Sequence, residues 1–141
     1  VEYITIASTS NTTDFGDLTV ARAPIGGTGA ASSTRGLFAG GEKSGNSDVI
    51  DYVTIASTGD ATDFGDLAFV SSYSTGVSNS TRGVFTGFNN TGAPGADSTF
   101  GNAIQISYVT IASTGNITNF GDLSARRYGL AGMSNGHGGL S

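Results

Sequence analysis

The chain contains no cysteine and no tryptophan, only two prolines, and few charged residues for its length of 141 residues. The lack of cysteine excludes disulfide bonds and thiolate metal sites. No apolar run approaches the roughly 20 residues that a membrane-spanning helix needs. Six scattered basic residues stand against eleven acidic ones, and the net charge is −5. Because nucleic-acid binding requires a continuous positive surface, we expect no partner of that class.

Glycine, serine and threonine are abundant instead, and glycine alone accounts for 23 residues. Valine, isoleucine, threonine, phenylalanine and tyrosine cluster in short runs between the glycines. This composition is typical of many short strands joined by tight turns. A disordered linker would carry more charge or proline. The composition therefore predicts an ordered all-β protein.

One 16-residue pattern occurs three times. It reads YITIASTSNTTDFGDL at Tyr3–Leu18, YVTIASTGDATDFGDL at Tyr52–Leu67 and YVTIASTGNITNFGDL at Tyr108–Leu123. We call these the first, middle and last copies; they begin 49 and 56 residues apart. A period near 50 indicates a repeat architecture. Units of this size bury their apolar faces by stacking on their neighbours.

Each repeat unit is predicted to contain four short strands. In Val49–Ala56 both alternating faces are partly apolar, as expected of a strand with layers on both sides. The phenylalanine of each Phe-Gly-Asp-Leu is predicted to pack between adjacent units, at Phe15, Phe64 and Phe120. The second pair of strands is rich in small residues or begins with Arg-Gly, at Ile25–Ser32, Tyr73–Asn79, Tyr128–Asn135, Arg35–Gly41 and Arg82–Gly87. Four strands in about 50 residues are typical of a propeller blade.

The order of these pieces resembles a kelch repeat. A strand that ends in Gly-Gly (Gly36–Gly41) precedes a loop (Glu42–Asp48), a strand with a tyrosine (Val49–Ala56) and a polar turn with an aromatic residue (Ser57–Phe64). The kelch tryptophan is absent, and Phe15, Phe64 and Phe120 take its place. The sequence pattern DYVTIASTGxxTDFGDL, together with STRGVF, is similar to the kelch-like repeats of structural or tail-fibre-like proteins of marine cyanophages and other tailed phages. The resemblance implies a β-propeller, or an assembly derived from one, in a virion component.

The sequence is expected to start and stop within a blade rather than at a boundary between blades. The units run over about 1–48, 49–104 and 105–141 within a single repeat domain, and the first and last supply complementary parts of a split blade. Propellers typically have 4–8 blades. We therefore expect a compact three-unit ring, a homodimer of six blades with strands that cross between chains, or a fragment of a longer array. The strand pattern at Val1 also favours a fragment or a processed form.

No catalytic group is predicted. Gly132–Gly136 fits the G-x-S-x-G pattern of hydrolase nucleophiles, and His137 follows it, but the motif needs a strand-turn-helix context that the sequence does not offer. The aligned residues of the middle unit indicate a repeat turn instead. We expect a non-enzymatic protein; the alternative that stays open is a glycan-active enzyme domain on a propeller.

Asparagine and aspartate recur at one spacing in the polar turns of the copies. We expect them to form turns in which the side chain bonds its own backbone. No metal or other cofactor is expected, although Asp60, Asp63 and Asp66 are the candidates for a calcium site, because calcium takes six to eight oxygens. Arg35 and Arg82 each follow Ser-Thr, and we expect a structural role for both, in a pair with a neighbouring aspartate.

The segment Phe88–Gly101 is the main insertion relative to the first unit, where the shorter loop Glu42–Asn46 stands. Insertions in repeat proteins map to loops on one face, which is often the binding face. The candidates for ligand contact are Phe88, Asn89, Asn90, Asp97 and Phe100. The competing interpretation is a surface loop without a ligand.

Together these features predict a structural or adhesive module of a phage appendage or another extracellular fibre, located in the virion or outside the cell. The expected partners are other copies of the chain, as a homo-oligomer or filament, and a host-surface glycan. The expected mechanism is the display of loops on stacked units for weak, multivalent contact. The first alternative is a self-assembling fibre or coat subunit without receptor function.

Overall fold

A computed structural model describes residues 1–23, 28–45, 47–88, 104–127 and 129–134, and the statements below refer to these residues. They form ten strands and no helix: β1 (Glu2–Tyr3), β2 (Thr13–Asp14), β3 (Gly29–Ala31), β4 (Arg35–Ala39), β5 (Ser47–Thr54), β6 (Thr62–Ser71), β7 (Thr75–Ser78), β8 (Arg82–Thr86), β9 (Gln105–Thr110) and β10 (Thr118–Asp122). The all-β prediction is confirmed.

The strands form three antiparallel sheets. Strands β3-β4-β5-β6 make one four-stranded sheet, β7-β8-β9-β10 make the second, and β1-β2 make a two-stranded sheet. Both larger sheets follow the predicted order of a small-residue strand, an Arg-Gly strand, a strand with tyrosine and a strand with Phe-Gly-Asp. The prediction of four strands in about 50 residues is thus confirmed for two sheets, each of which combines strands of two successive units. No closed ring of sheets is found in the described part of the chain.

The small-residue strands are shorter than predicted. Strand β7 covers Thr75–Ser78 rather than Tyr73–Asn79. Tyr73 has φ of 59°, a left-handed conformation that cannot belong to an extended strand. Part of the predicted strand Ile25–Ser32 lies outside the described residues. Residues 129–134 form no strand.

Small residues allow the innermost strands to approach closely. A Cβ atom at Gly76 of β7 would clash with the carbonyl oxygen of Gly29 in β3. The amide of Ala31 also donates to Ser78 Oγ at 3.0 Å, which ties the two strands together. On the other side of β7, a Cβ at Gly132 would collide with Val77. Strands β3 and β7 and residues 131–134 therefore follow one another as neighbours.

The core lies between the two four-stranded sheets. Leu37 of β4 and Phe85 of β8 are 1% and 0% exposed, whereas Phe38 and Val84, on the opposite faces of the same strands, are partly exposed. The other members of the core cluster are Ala30, Ala39, Ile50, Phe64, Leu67, Phe88, Val109 and Ile111. Each sheet thus has two apolar faces, and the face that meets the other sheet is the one that is buried.

Candidate functional site: the junctions between repeat copies

The middle and last copies are joined by three hydrogen bonds. The amide of Gly115 donates to the carbonyl oxygen of Phe64 at 2.7 Å, and the amide of Ile117 donates to that of Asp66 at 2.9 Å. In the opposite direction, the amide of Asp66 donates to Asn116 Oδ1 at 3.1 Å. The turn of one copy therefore holds the Phe-Gly-Asp backbone of the copy before it. We call this three-bond arrangement a junction.

The first and middle copies form the same junction with equivalent residues. Gly59 donates to the carbonyl oxygen of Phe15 at 2.7 Å, and Ala61 donates to that of Asp17 at 2.8 Å. The amide of Asp17 donates to Asp60 Oδ1 at 2.9 Å. Because two junctions with different side chains share one geometry, the junction is a property of the repeat.

A glycine is required at the centre of each junction. A Cβ atom at Gly65 would stand 2.5 Å from the carbonyl oxygen of Gly115, and one at Gly16 would clash with that of Gly59 in the same way. Gly65 also has φ of +145°, which side chains rarely adopt. A side chain at this position is thus excluded both by the backbone angle and by the close neighbour.

The recurring asparagine and aspartate side chains act differently from the expectation of turns that bond their own backbone. Asp60 and Asn116 accept hydrogen bonds from the neighbouring copy. The spacing alone did not reveal this because an own-backbone turn and a bond between units use the same residue types. The candidate calcium residues Asp63 and Asp66 lie within β6. Over the described ranges, no group of three or more acidic, histidine or cysteine residues could hold a metal.

Each copy also carries an aromatic pair. Tyr52 and Phe64 meet edge to face with ring centroids 5.9 Å apart, and the first and last copies repeat this geometry with Tyr3–Phe15 and Tyr108–Phe120. Phe64 is 2% exposed, because the last copy follows it, whereas Phe120 is 57% exposed. Phe15, which the middle copy follows, is partly exposed, so Phe120 is the most exposed of the three rings and does not pack between units within the described residues.

Among the described residues, the two Arg-Gly arginines contact aromatic rings and no aspartate. Arg35 lies 4.4 Å above the ring of Tyr52, and Arg82 lies 4.7 Å above that of Tyr108. Arg35 also donates from Nη1 to the carbonyl oxygen of Ile111 at 2.9 Å and so bridges the two sheets. The tyrosine ring takes the position in which we expected a carboxylate.

A buried ion pair that was not predicted joins the first copy to the sheet that follows it. Arg22 Nη1 lies 2.7 Å from Asp51 Oδ2, and their side chains are 1% and 0% exposed. Arg22 Nε donates to the carbonyl oxygen of Gly40 at 2.7 Å, and Thr19 Oγ1 donates to Asp51 Oδ1 at 2.6 Å. A buried pair is tolerated when its remaining donors and acceptors are satisfied in this way.

The aligned positions in the next unit show how sequence reasoning could have found this pair. Ser71 stands in the place of Arg22, and Ser107 stands in the place of Asp51. Both serines are fully buried. The acid and the base are therefore lost together, which indicates contact between the two positions.

The predicted ligand residues are not brought together in the described part of the chain. Phe88 is 3% exposed and belongs to the core cluster. Asn89, Asn90, Asp97 and Phe100 lie outside the described residues. Ligand contact at those four positions stays a prediction.

The G-x-S-x-G serine fastens two segments. Ser134 Oγ donates to the carbonyl oxygen of Ser78 in β7. His137 lies outside the described residues. This contact gives Ser134 a packing role next to β7.

No protein-family model matches the chain, and the search of curated proteins found no match. In the described ranges, no helix is long and apolar enough to cross a bilayer.

Proposed function

We propose that this protein is a non-enzymatic structural and adhesive module of a phage appendage or another extracellular fibre. The observation that supports it best is the repetition of one junction at equivalent residues of successive copies. A protein that is built from stacked, equivalent units is suited to forming a rigid, extended surface. In this proposal the repeated residues maintain the framework, and the residues that differ between units carry recognition.

The sheets also support a kelch-like propeller, or an assembly derived from one, as the architecture. Both larger sheets have four antiparallel strands, and their first strands, β3 and β7, lie side by side. In a propeller such strands line the central axis. Successive connections between the second and third strands then emerge on the same face of the assembly.

The largest difference between the units falls in one of those connections. Strands β4 and β5 are joined by residues 40–46, whereas β8 and β9 are joined by residues 87–104. We propose that this longer connection contacts a host-surface glycan. Several copies displayed together would raise a weak affinity by roughly 10²–10⁴.

The proposal is tested by exchanging the longer connection for the shorter one. Residues 89–101 are replaced by the loop sequence Glu42–Asn46, and Phe88 is retained because it is buried in the core. Binding of the labelled protein to intact cyanobacterial cells and to a glycan array is then measured. We expect the exchange to abolish binding while the circular dichroism spectrum and the mass in solution stay unchanged.

A matched control exchanges an exposed turn elsewhere, Ser57–Thr58 for Gly-Gly, and should leave binding intact. Equal binding by the wild-type protein and the loop exchange would contradict the adhesive role of the connection. Absence of wild-type binding on every surface would favour the fibre or coat subunit without receptor function. Release of sugar products from the array would contradict the non-enzymatic role.

A further inference from the structure

The two outer edges of the stack are exposed. We call Phe120, Gly121 and Asp122 the Phe-Gly-Asp edge, and Ser10, Asn11 and Thr12 the Ser-Asn-Thr edge. No described residue lies within 4 Å of the place where a Cβ at Gly121 would be, whereas the equivalent positions at Gly16 and Gly65 are occupied by the next copy. Among the described residues, no hydrogen-bond partner is found for the side chain of Asn11, the position of Asp60 and Asn116. Each edge is therefore one half of a junction.

The two edges match each other. Ser10 and Thr12 align with the donors Gly59 and Ala61, and Asn11 aligns with the acceptor Asp60. At the opposite edge, Phe120 and Asp122 present the backbone groups that Phe15 and Asp17 use in the first junction. A third junction would thus form if the Ser-Asn-Thr edge of one molecule met the Phe-Gly-Asp edge of another.

The residues aligned with the buried ion pair also have complementary charges at the two edges. Thr19 and Arg22, which follow the first copy, bind Asp51, which directly precedes the middle copy. The aligned positions for the middle and last copies are Ala68, Ser71 and Ser107. When the alignment is continued from the last copy to the first, the corresponding residues are Ser124, Arg127 and Glu2. A hydroxyl residue, an arginine and an acidic residue thus occupy these positions again, as they do at Thr19, Arg22 and Asp51.

Arg127 and Glu2 are both exposed within one molecule. Their equivalents Arg22 and Asp51 are almost completely buried against each other. The charge complementarity of the two edges therefore points to a partner that carries the same residues, which is a second copy of this chain.

A groove at the Phe-Gly-Asp edge has a matching side chain. Arg82, Val84 and Phe120 line it. Their equivalents are Arg35, Leu37 and Phe64. Leu37 and Phe64 belong to the same core cluster as Ile111, which is 1% exposed and accepts the hydrogen bond from Arg35. The first copy has Ile6 at the position of Ile111, and Ile6 is 94% exposed. Ile6 of a second molecule would therefore take, in this groove, the place that Ile111 takes beside Arg35.

We infer that two molecules associate head to tail, with the Phe-Gly-Asp edge of each bound to the Ser-Asn-Thr edge of the other. Three contacts define the interface: the third junction, an Arg127–Glu2 ion pair, and Ile6 in the groove beside Phe120. A contact between unlike surfaces closes into a ring or continues as a filament. Two molecules bring together six repeat units, and this number lies within the usual size of a propeller ring. This inference concerns assembly and does not depend on the proposed adhesive function.

Charge reversal tests the inference directly. In the variant Arg127→Glu both edges present an acid, and in Glu2→Arg both present a base. Because Glu2 and Arg127 are exposed, neither change should alter the fold of one molecule, which a two-dimensional NMR spectrum verifies. The mass in solution is measured by light scattering for the wild type, each variant, and an equimolar mixture of the two variants.

We expect the wild type to have about twice the chain mass of 14.1 kDa. Each variant alone should associate at least tenfold more weakly, because an unpaired charge at a buried position is costly. The mixture should regain the wild-type mass, since the two variants can alternate with every ion pair restored. A longer filament with the same response to the two variants would support the same contact.

A wild-type protein that is monomeric at every accessible concentration would overturn the inference. A mixture that stays as weakly associated as its components would overturn it as well. The apolar contact is tested by Ile6→Glu, which should also prevent assembly. Its matched control is Val70→Glu, at a residue that is 41% exposed and takes part in neither junction, and this change should leave the mass unaffected.

Discussion

Gly65 shows how a single position determines whether two repeat units can meet. Its Cα faces the carbonyl oxygen of Gly115, and its φ lies in the region that favours glycine. Gly115 has a similar φ of +156°, but no described residue lies within 4 Å of a Cβ built there. Substitutions at the two glycines therefore distinguish the free-energy cost of backbone strain from the cost of a steric clash.

We predict that Gly65→Ala lowers the free energy of unfolding by about 2–4 kcal/mol, because backbone strain and overpacking add. Gly115→Ala, the matched control, should lose only the strain part, about 1–2 kcal/mol. Urea denaturation followed by circular dichroism measures both. Equal losses for the two variants would show that the junction backbones can separate without cost.

The Arg22–Asp51 pair gives a second test at the level of residues. Arg22→Met alone should lower the free energy of unfolding by about 3–5 kcal/mol, because it leaves the carboxylate of Asp51 buried without its partner. Asp51→Leu alone should cost a similar amount. The double variant should be much closer to the wild type, since an apolar pair of similar volume carries no desolvation penalty. Additive losses in the double-mutant cycle would mean that the two side chains act independently.

At the level of strands and turns, the turn of each copy forms part of a junction. Asp60 and Asn116 each supply one side-chain oxygen to the copy before it. Asn11 has the same place in the first copy but has no such bond to a described residue. The three equivalent turns thus differ in whether they contact a described copy before them.

We predict that Asp60→Ala and Asn116→Ala each lower the free energy of unfolding of the isolated molecule by about 0.5–1 kcal/mol, the value of one partly exposed hydrogen bond. Asp60→Asn should be neutral, since asparagine performs the same role at Asn116. Asn11→Ala is the matched control and should not change stability at low concentration. Thermal unfolding at several protein concentrations measures these effects; a loss for Asn11→Ala equal to that for Asp60→Ala would show that the side chains act only within their own turns.

The sequence could predict the order and type of the strands, because the period-2 pattern and the glycines between strands are local signals. It could not predict the partners of Arg35 or Asp60. Those partners, the carbonyl oxygen of Ile111 and the amide of Asp17, are backbone groups far along the chain, and backbone groups leave no trace in residue identity. The Arg22–Asp51 pair is different: its simultaneous replacement by serines was readable from the repeats, and comparison of aligned pairs would have revealed it.

At the level of the whole molecule, exposure follows the position of a residue in the stack. The equivalent isoleucines Ile6, Ile55 and Ile111 are 94%, 45% and 1% exposed. Leu37 is buried and its equivalent Val84 is not, because only Leu37 has a further sheet in front of it. The residues at the edges of the stack are thus of the same types as the equivalent residues that are buried in its interior. Such a molecule has two surfaces that are already shaped for another unit.

Amide hydrogen exchange distinguishes these surfaces in solution. At concentrations where the protein is monomeric, we predict strong protection of four of the six junction donors, Gly59, Ala61, Gly115 and Ile117, whose amides are hydrogen bonded to backbone carbonyl oxygens of the preceding copy. The amides of Ser10 and Thr12 should exchange freely. When the concentration is raised until molecules associate, Ser10 and Thr12 should become protected as well, because they take the donor positions of the third junction. Residue-resolved NMR measures this, and Arg127→Glu provides the control in which the two amides stay unprotected. Protection that appears elsewhere while Ser10 and Thr12 keep exchanging would assign association to a different surface.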